Sequence, residues 1–144
     1  MFNLPVPLNQ LFLDVFNSRN NLNLTLADVI LSEPTVSRSS RGNTNLTLTI
    51  PARGNSSTVV QYVRWDLKEF YDIHDPVYVV ERKGIYTLQD VLALVNARLV
   101  MQLEASEFVD GQWDLVNDSV VVKLQAADSN VMLVGSIDLT LSVV

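Results

Sequence analysis

Phe12–Val29 (FLDVFNSRNNLNLTLADV) and Val91–Phe108 (VLALVNARLVMQLEASEF) lie over one another without a gap, 79 residues apart. Leu13 matches Leu92, Asn17 matches Asn96, Arg19 matches Arg98 and Leu24 matches Leu103. Around these identities apolar meets apolar, as at Val15/Leu94, Phe16/Val95 and Leu22/Met101, and Asp28 meets Glu107. Each stretch is followed by two runs rich in Val, Ile, Leu and Thr: Asn45–Ile50 with Thr58–Trp65, and Val120–Leu124 with Val131–Leu141. Self-similarity at a fixed spacing is the signature of a repeated supersecondary unit. The reading is an α+β fold built from an internally duplicated helix–turn–β-hairpin unit. Its helices pack on a mainly antiparallel sheet or sandwich. It spans residues 1–144 as a single domain of two related halves, residues 9–71 and 77–144, behind a short N-terminal arm, residues 1–8.

The first helix is expected over Asn9–Arg19, because Leu8, Leu11, Phe12, Val15 and Phe16 recur at helical spacing. Asn20-Asn21 should end it, since asparagine tolerates left-handed backbone. Leu22–Leu26 then alternates as a short extended piece, and Leu26–Val29 turns so as to rebury Val29 and Ile30. Ser32–Thr44 (SEPTVSRSSRGNT) is polar and reads as an exposed loop. Asn45–Ile50 and Thr58–Trp65 form a hairpin across the turn residues Pro51–Ser56. Asp66–Tyr71 fits either a continued strand or one helical turn. Asp72–Pro76 separates the halves, because proline pushes its predecessor out of helical backbone.

In the second half Val77–Glu81 reads as a strand. Thr87 is the N-cap of a helix running to about Val100, with Asp90 in its first turn and Leu88, Val91, Leu92, Val95 and Leu99 buried. Gly111–Asn117 reads as a loop carrying Trp113, and Ser119–Leu124 with Val131–Val143 closes the chain as a hairpin.

Composition narrows the function. The formal net charge is −6 with a pI near 4.5, which opposes nucleic-acid binding and adhesion to anionic membrane. There is no cysteine, so disulfides, thiolate metal sites and thiol nucleophiles are excluded. The first residues carry two prolines and no positive run, unlike a secretory signal. No apolar run approaches the roughly 20 residues that span a bilayer.

Few residues suggest chemistry. His74, flanked by Asp72 and Asp75, is the sole histidine, so the usual nitrogen-rich metal sets cannot form. It reads as a solvated turn. The pairs Asp72/Asp75 and Asp110/Asp114 read as surface charge, without the dense oxygen ligands of a calcium loop. No nucleophile elbow, phosphate loop or metalloprotease motif occurs. No catalytic, metal or cofactor residues are therefore assigned. The Asn-x-Ser/Thr triplets at Asn23, Asn45, Asn55 and Asn117 fit a polar β protein rather than glycosylation sites. Trp65, Phe70 and Tyr71 read as core aromatics. The candidate contact residues are Pro5 and Pro7 of the arm, Arg38 and Arg41 of the Ser/Arg stretch, and Trp113.

Taken together, Leu22–Val29, Gly42–Thr49, Ala52–Trp65 and Tyr86–Leu92 with Asn96-Ala97-Arg98 resemble a domain of virion structural proteins from large tailed bacteriophages. The resemblance runs from about Leu8 to Val144. Glu104–Phe108 departs from the Leu-Ala-Asp-Val turn of the first copy. The resemblance implies a non-enzymatic building block of the neck, tail or head surface, made in the host cytoplasm and residing in the virion. It would assemble as a homo-oligomer and with other virion proteins, without nucleic acid, membrane or cofactor. The alternative is a small ligand- or carbohydrate-binding β module presenting Trp113, Trp65 and Tyr62. Against it, Tyr62 and Trp65 stand an odd number apart on one predicted strand and should not share a face.

Overall fold

The computed structural model describes residues 6–39, 42–70 and 76–144. It is an α+β fold with mostly antiparallel sheets. Helix α1 (Leu8–Asn20) begins directly after Pro7, whose carbonyl accepts from Leu11 N at 2.9 Å. It buries Leu8, Leu11, Phe12 and Leu13. The chain leaves it through Asn21 in left-handed backbone, φ 55°. A 3₁₀ turn (Leu26–Asp28) leads to strands β1 (Ile30–Leu31), β2 (Thr35–Ser39), β3 (Gly42–Ile50) and β4 (Ser56–Tyr62). Strand β3 is central, antiparallel to β4 on one edge and to β1 and β2 on the other. Strand β5 (Trp65–Asp66) and a single helical turn, α2 (Leu67–Phe70), end this region.

Beyond Pro76 come β6 (Val77–Val80), β7 (Gly84–Thr87) and helix α3 (Leu88–Leu99). The start of α3 is the expected one. Thr87 Oγ1 accepts from Asp90 N at 3.2 Å, and Asp90 accepts from Thr87 N at 2.9 Å, a reciprocal capping box. A second 3₁₀ turn (Ala105–Glu107) precedes β8 (Gln112–Leu115), β9 (Ser119–Gln125), β10 (Leu133–Val134) and β11 (Ser136–Val143). Strand β11 is antiparallel to β9 and parallel to β6, and β7 pairs with β8.

The two helix exits share their geometry at the same 79-residue offset. Asn17 donates to Leu24 O at 2.8 Å and accepts from Leu24 N at 3.1 Å. Asn96 does the same with Leu103, at 3.0 and 2.8 Å. Val100 takes the left-handed position of Asn21, with φ 54°. Val29 and Phe108, which follow the two 3₁₀ turns, both have φ −129°. The side-chain amide of each asparagine closes a loop whose backbone groups would otherwise lack partners.

Both halves feed one hydrophobic cluster, from Leu13, Leu46 and Leu48 to Val91, Leu115, Val122, Leu139 and Leu141. Polar groups tie them across the chain. Strand β10 pairs in parallel with β5. Tyr62 Oη donates to Val131 O at 2.6 Å. Buried Arg64 donates from Nε to Thr44 Oγ1 at 3.0 Å and from Nη1 to Asn130 O at 3.1 Å. Asn130 in turn accepts from Met132 N and Leu133 N at 3.1 and 2.9 Å. A buried guanidinium is tolerated because its donors find acceptors.

Several expectations give way to the structure. Ser32–Thr44 is not an irregular loop: Thr35–Ser39 and Gly42–Thr44 pair as the ends of β2 and β3. Its polar composition reflects a sheet-edge strand facing water. Gly111–Asn117 likewise contains β8, paired with β7. Ile30 is not reburied by its turn but is 59% exposed. Leu99 is only half-buried. The closing run Val131–Val143 is broken at Gly135, φ 83°, into β10 and β11. Of the ambiguous stretch after Trp65, Asp66 ends β5 and Leu67–Phe70 forms one helical turn, α2. The expectations for Asp72, His74 and Asp75, for Tyr71 and for the Phe70 side chain lie outside the described residues.

Candidate functional site

Strand β4 has β3 on one side and no strand on the other among the described residues. Its outer edge borders α1, and together they enclose a groove of about 520 Å³. One helical face, Phe12, Val15, Phe16 and Arg19, forms one wall because these residues recur at three- and four-residue steps. The consecutive residues Thr58–Val63 form the other, so the strand presents its edge as well as its side chains. Trp65 and Met132 close one end, where Trp65 N donates to Met132 O at 2.9 Å.

The lining is mainly apolar. The Phe12 and Tyr62 rings stand 5.1 Å apart with planes inclined by 55°, a favourable tilted arrangement. Burial pushes the Tyr62 phenol up to about 12, against a smaller opposing effect of Arg64, so the ring is neutral at physiological pH. Val59 on β4 is 59% exposed, and Arg19 is exposed beside it. An apolar cleft between a helix and a strand offers pockets for apolar side chains.

Tyr62 and Trp65 line this groove together, contrary to the odd-spacing argument. The strand stops at Tyr62, and Val63-Arg64 intervene before β5, so period-two alternation does not carry across. Asn43 holds that break by accepting from Arg64 N at 2.9 Å and donating to Arg64 O at 3.2 Å.

The other sequence candidates are not gathered here. Pro7 is half-buried ahead of α1, and Arg38 is exposed on β2. Trp113 is a half-buried residue of β8 packed on the core. Its ring passes so close to Gly111 that an added Cβ there would meet Cζ2 at 2.9 Å. Pro5 and Arg41 lie outside the described residues. Sequence reasoning missed Phe16, Arg19 and Val60 as groove residues. The available signal was Val59-Val60, an apolar pair in a strand whose outer neighbour is absent from its own hairpin.

Among the described residues, no group of three His, Asp or Glu side chains could hold a metal ion. No described helix is long and apolar enough to cross a membrane. One carboxyl is unusual. Burial, then the neighbouring Glu104 charge, pushes Glu107 up to about 7, against smaller opposing effects of the Glu104 and Leu8 backbone amides. Its Oε2 is buried without a partner. It sits at the start of α1, which has no side-chain cap of its own. This is a structural contact between the halves rather than part of the groove.

A model of a protein family of unknown function, DUF7941, matches residues 1–143, and the chain belongs to that family. Comparison with curated proteins found no match, and comparison with solved structures found none either.

Proposed function

We propose that the protein is a non-enzymatic structural component of a tailed-bacteriophage virion, assembling with itself and with other virion proteins. We read its chain as two copies of one helix–turn–hairpin unit merged into a single domain. The matched asparagine clamps and helix exits support the duplication. The observation that carries the assembly role is the mainly apolar groove between α1 and β4, a surface suited to protein contact. The virion setting rests on the resemblance of the repeated segments, and the acidic charge fits a role that does not grip nucleic acid.

The groove also favours a second reading, because Trp65 and Tyr62 stand together in it as they would in a carbohydrate-binding cleft. Light scattering across concentration separates the two. A defined oligomer, or assembly that grows with concentration, is the expected result. A strict monomer that saturates with oligosaccharide, read by Trp65 fluorescence, would replace the structural role with the binding one.

A further inference from the structure

Arg64 is the only charged residue buried among the described residues, at 7% exposure, and no acid there pairs with it. Its backbone is pinned by the Asn43 side chain, and its guanidinium reaches across to the turn between β9 and β10. Nε donates to Thr44 Oγ1 at 3.0 Å. Nη1 donates to Asn130 O at 3.1 Å and, over a longer 3.4 Å, to Asp128 O. These acceptors are neutral, and they serve two of the three nitrogens. Nη2 has no hydrogen-bond partner among the described residues. A buried charge without a counter-charge and a donor without an acceptor are both costly, and a bound anion relieves both.

The guanidinium lines a pocket of about 230 Å³ whose wall is mainly polar. Strand β9 contributes Lys123 and Gln125, which share a face at two-residue spacing, and β11 contributes Ser136, opposite Gln125. Lys123 is exposed and has no ion pair among the described residues, although Asp138 stands across from it. Two other acids are near. Asp128 lines the pocket but gives its backbone carbonyl to Arg64. Asp66 lies against Gly135 and accepts from Lys68 N at 2.9 Å.

We propose that this pocket binds a single phosphate-class oxyanion, with Arg64 Nη2 as its fixed donor and Lys123 and Ser136 as donors that adjust to it. The kind of anion follows from which nitrogens are free. A planar carboxylate pairs best with a guanidinium through two parallel N–H groups on neighbouring nitrogens. Either such pair that includes Nη2 also needs Nε or Nη1, and both already donate to protein oxygens. A tetrahedral anion instead takes donors from three separate directions. Size narrows the ligand further. The pocket is smaller than the roughly 300–1,000 Å³ of ordinary small-molecule sites, so one phosphate group fills it and any attached group stays outside. The chain's net negative charge opposes a polyanion but leaves this local cation site intact. The site is independent of the assembly role proposed above.

The test titrates inorganic phosphate into the full chain at constant ionic strength, balanced with chloride, and follows amide and Arg64 Nε–H chemical shifts. The expected result is a saturable change with Kd on the order of 1 mM, centred on Arg64, Ala127 and Ser136. Lys123→Ala should weaken binding by roughly fivefold, the scale of one charge-assisted bond. Asp128→Asn keeps the carbonyl that Arg64 uses, and should strengthen binding by about twofold by removing a repulsion. Both residues are exposed, so these variants keep the fold that Arg64→Gln would endanger. Acetate should bind at least ~10-fold more weakly than phosphate. Phosphoserine in place of phosphate separates the sources: tighter binding assigns the site to a phosphorylated ligand, weaker binding to the free ion.

Three results would overturn the proposal. One is no saturation by about 50 mM phosphate. Another is a set of shifts centred away from Arg64 and Ser136. The third is an equal response to acetate, or from the Lys123→Ala protein, which would reduce the effect to general salt.

Discussion

Val100 carries a conformation that its side chain opposes. Left-handed backbone crowds any Cβ, and a β-branched residue more than most. At the matching helix exit the sequence uses Asn21, which accepts the same φ cheaply. Val100 is 63% exposed, so its side chain recovers little through packing. Val100→Asn should therefore stabilise the fold by about 0.5–1 kcal/mol, read as a higher thermal midpoint. A drop in midpoint would mean that Val100 makes contacts worth more than its strain. Glu107 makes a second residue-scale prediction. Unfolded, its carboxyl ionises near 4.5; folded, it holds its proton until about 7. The folded state binds more protons between those values, so stability falls as pH rises through that window. Glu107→Gln keeps an oxygen for the Leu8 and Glu104 amides and cannot ionise. Its midpoint should match wild type near pH 4.5 and exceed it by several degrees above pH 7. Parallel melting curves for the two proteins would remove burial as the cause.

At the scale of elements, β3 depends on how closely it approaches β4. A Cβ added to Gly42 would fall on the Tyr62 backbone, which cannot move aside as a flexible side chain would. Gly42→Ala should cost about 1–3 kcal/mol, seen as a lower denaturant midpoint, and should loosen exchange protection in β4 first. An unchanged midpoint would show that the hairpin can spread at no cost. Elements were legible in the sequence where a periodic pattern and a local end signal coincided. Helix α3 is the clearest case: the Thr87/Asp90 cap and Val91, Leu92 and Val95 at helical spacing define it without help from elsewhere. Strands β2 and β8 were hidden because their exposed residues include Thr35, Arg38, Gln112 and Asp114. Four or five residues of a half-exposed strand then look like loop. The groove was harder still to see. It belongs to α1 and β4, whose meeting depends on tertiary packing.

At the scale of the molecule, the two halves of the chain are not self-sufficient. Strand β5 finds its partner in β10, Arg64 ends on Asn130, and Tyr62 on Val131. Residues 1–75 produced alone would leave the Arg64 guanidinium without its Asn130 acceptor and strip the core of Val91, Val122 and Leu139. Leaving buried polar groups unsatisfied costs about 1–3 kcal/mol each, a large share of the small stability reserve of a domain. That fragment should give the circular dichroism of an unfolded chain, and adding residues 76–144 should restore helix and strand signal. Independent folding of the fragment would mean that the halves are autonomous lobes.

The carboxyl of Glu107 at the start of α1 has a consequence for how the protein is made. The first helix emerges from the ribosome early, but the group that meets its leading amide is about a hundred residues behind. Until that acid arrives, the helix start relies on water alone. The nascent first half is thus held in an unfinished state for most of translation. Its exposed strand edges must be shielded meanwhile by slow synthesis, by a chaperone, or by the polar serines and asparagines that border them.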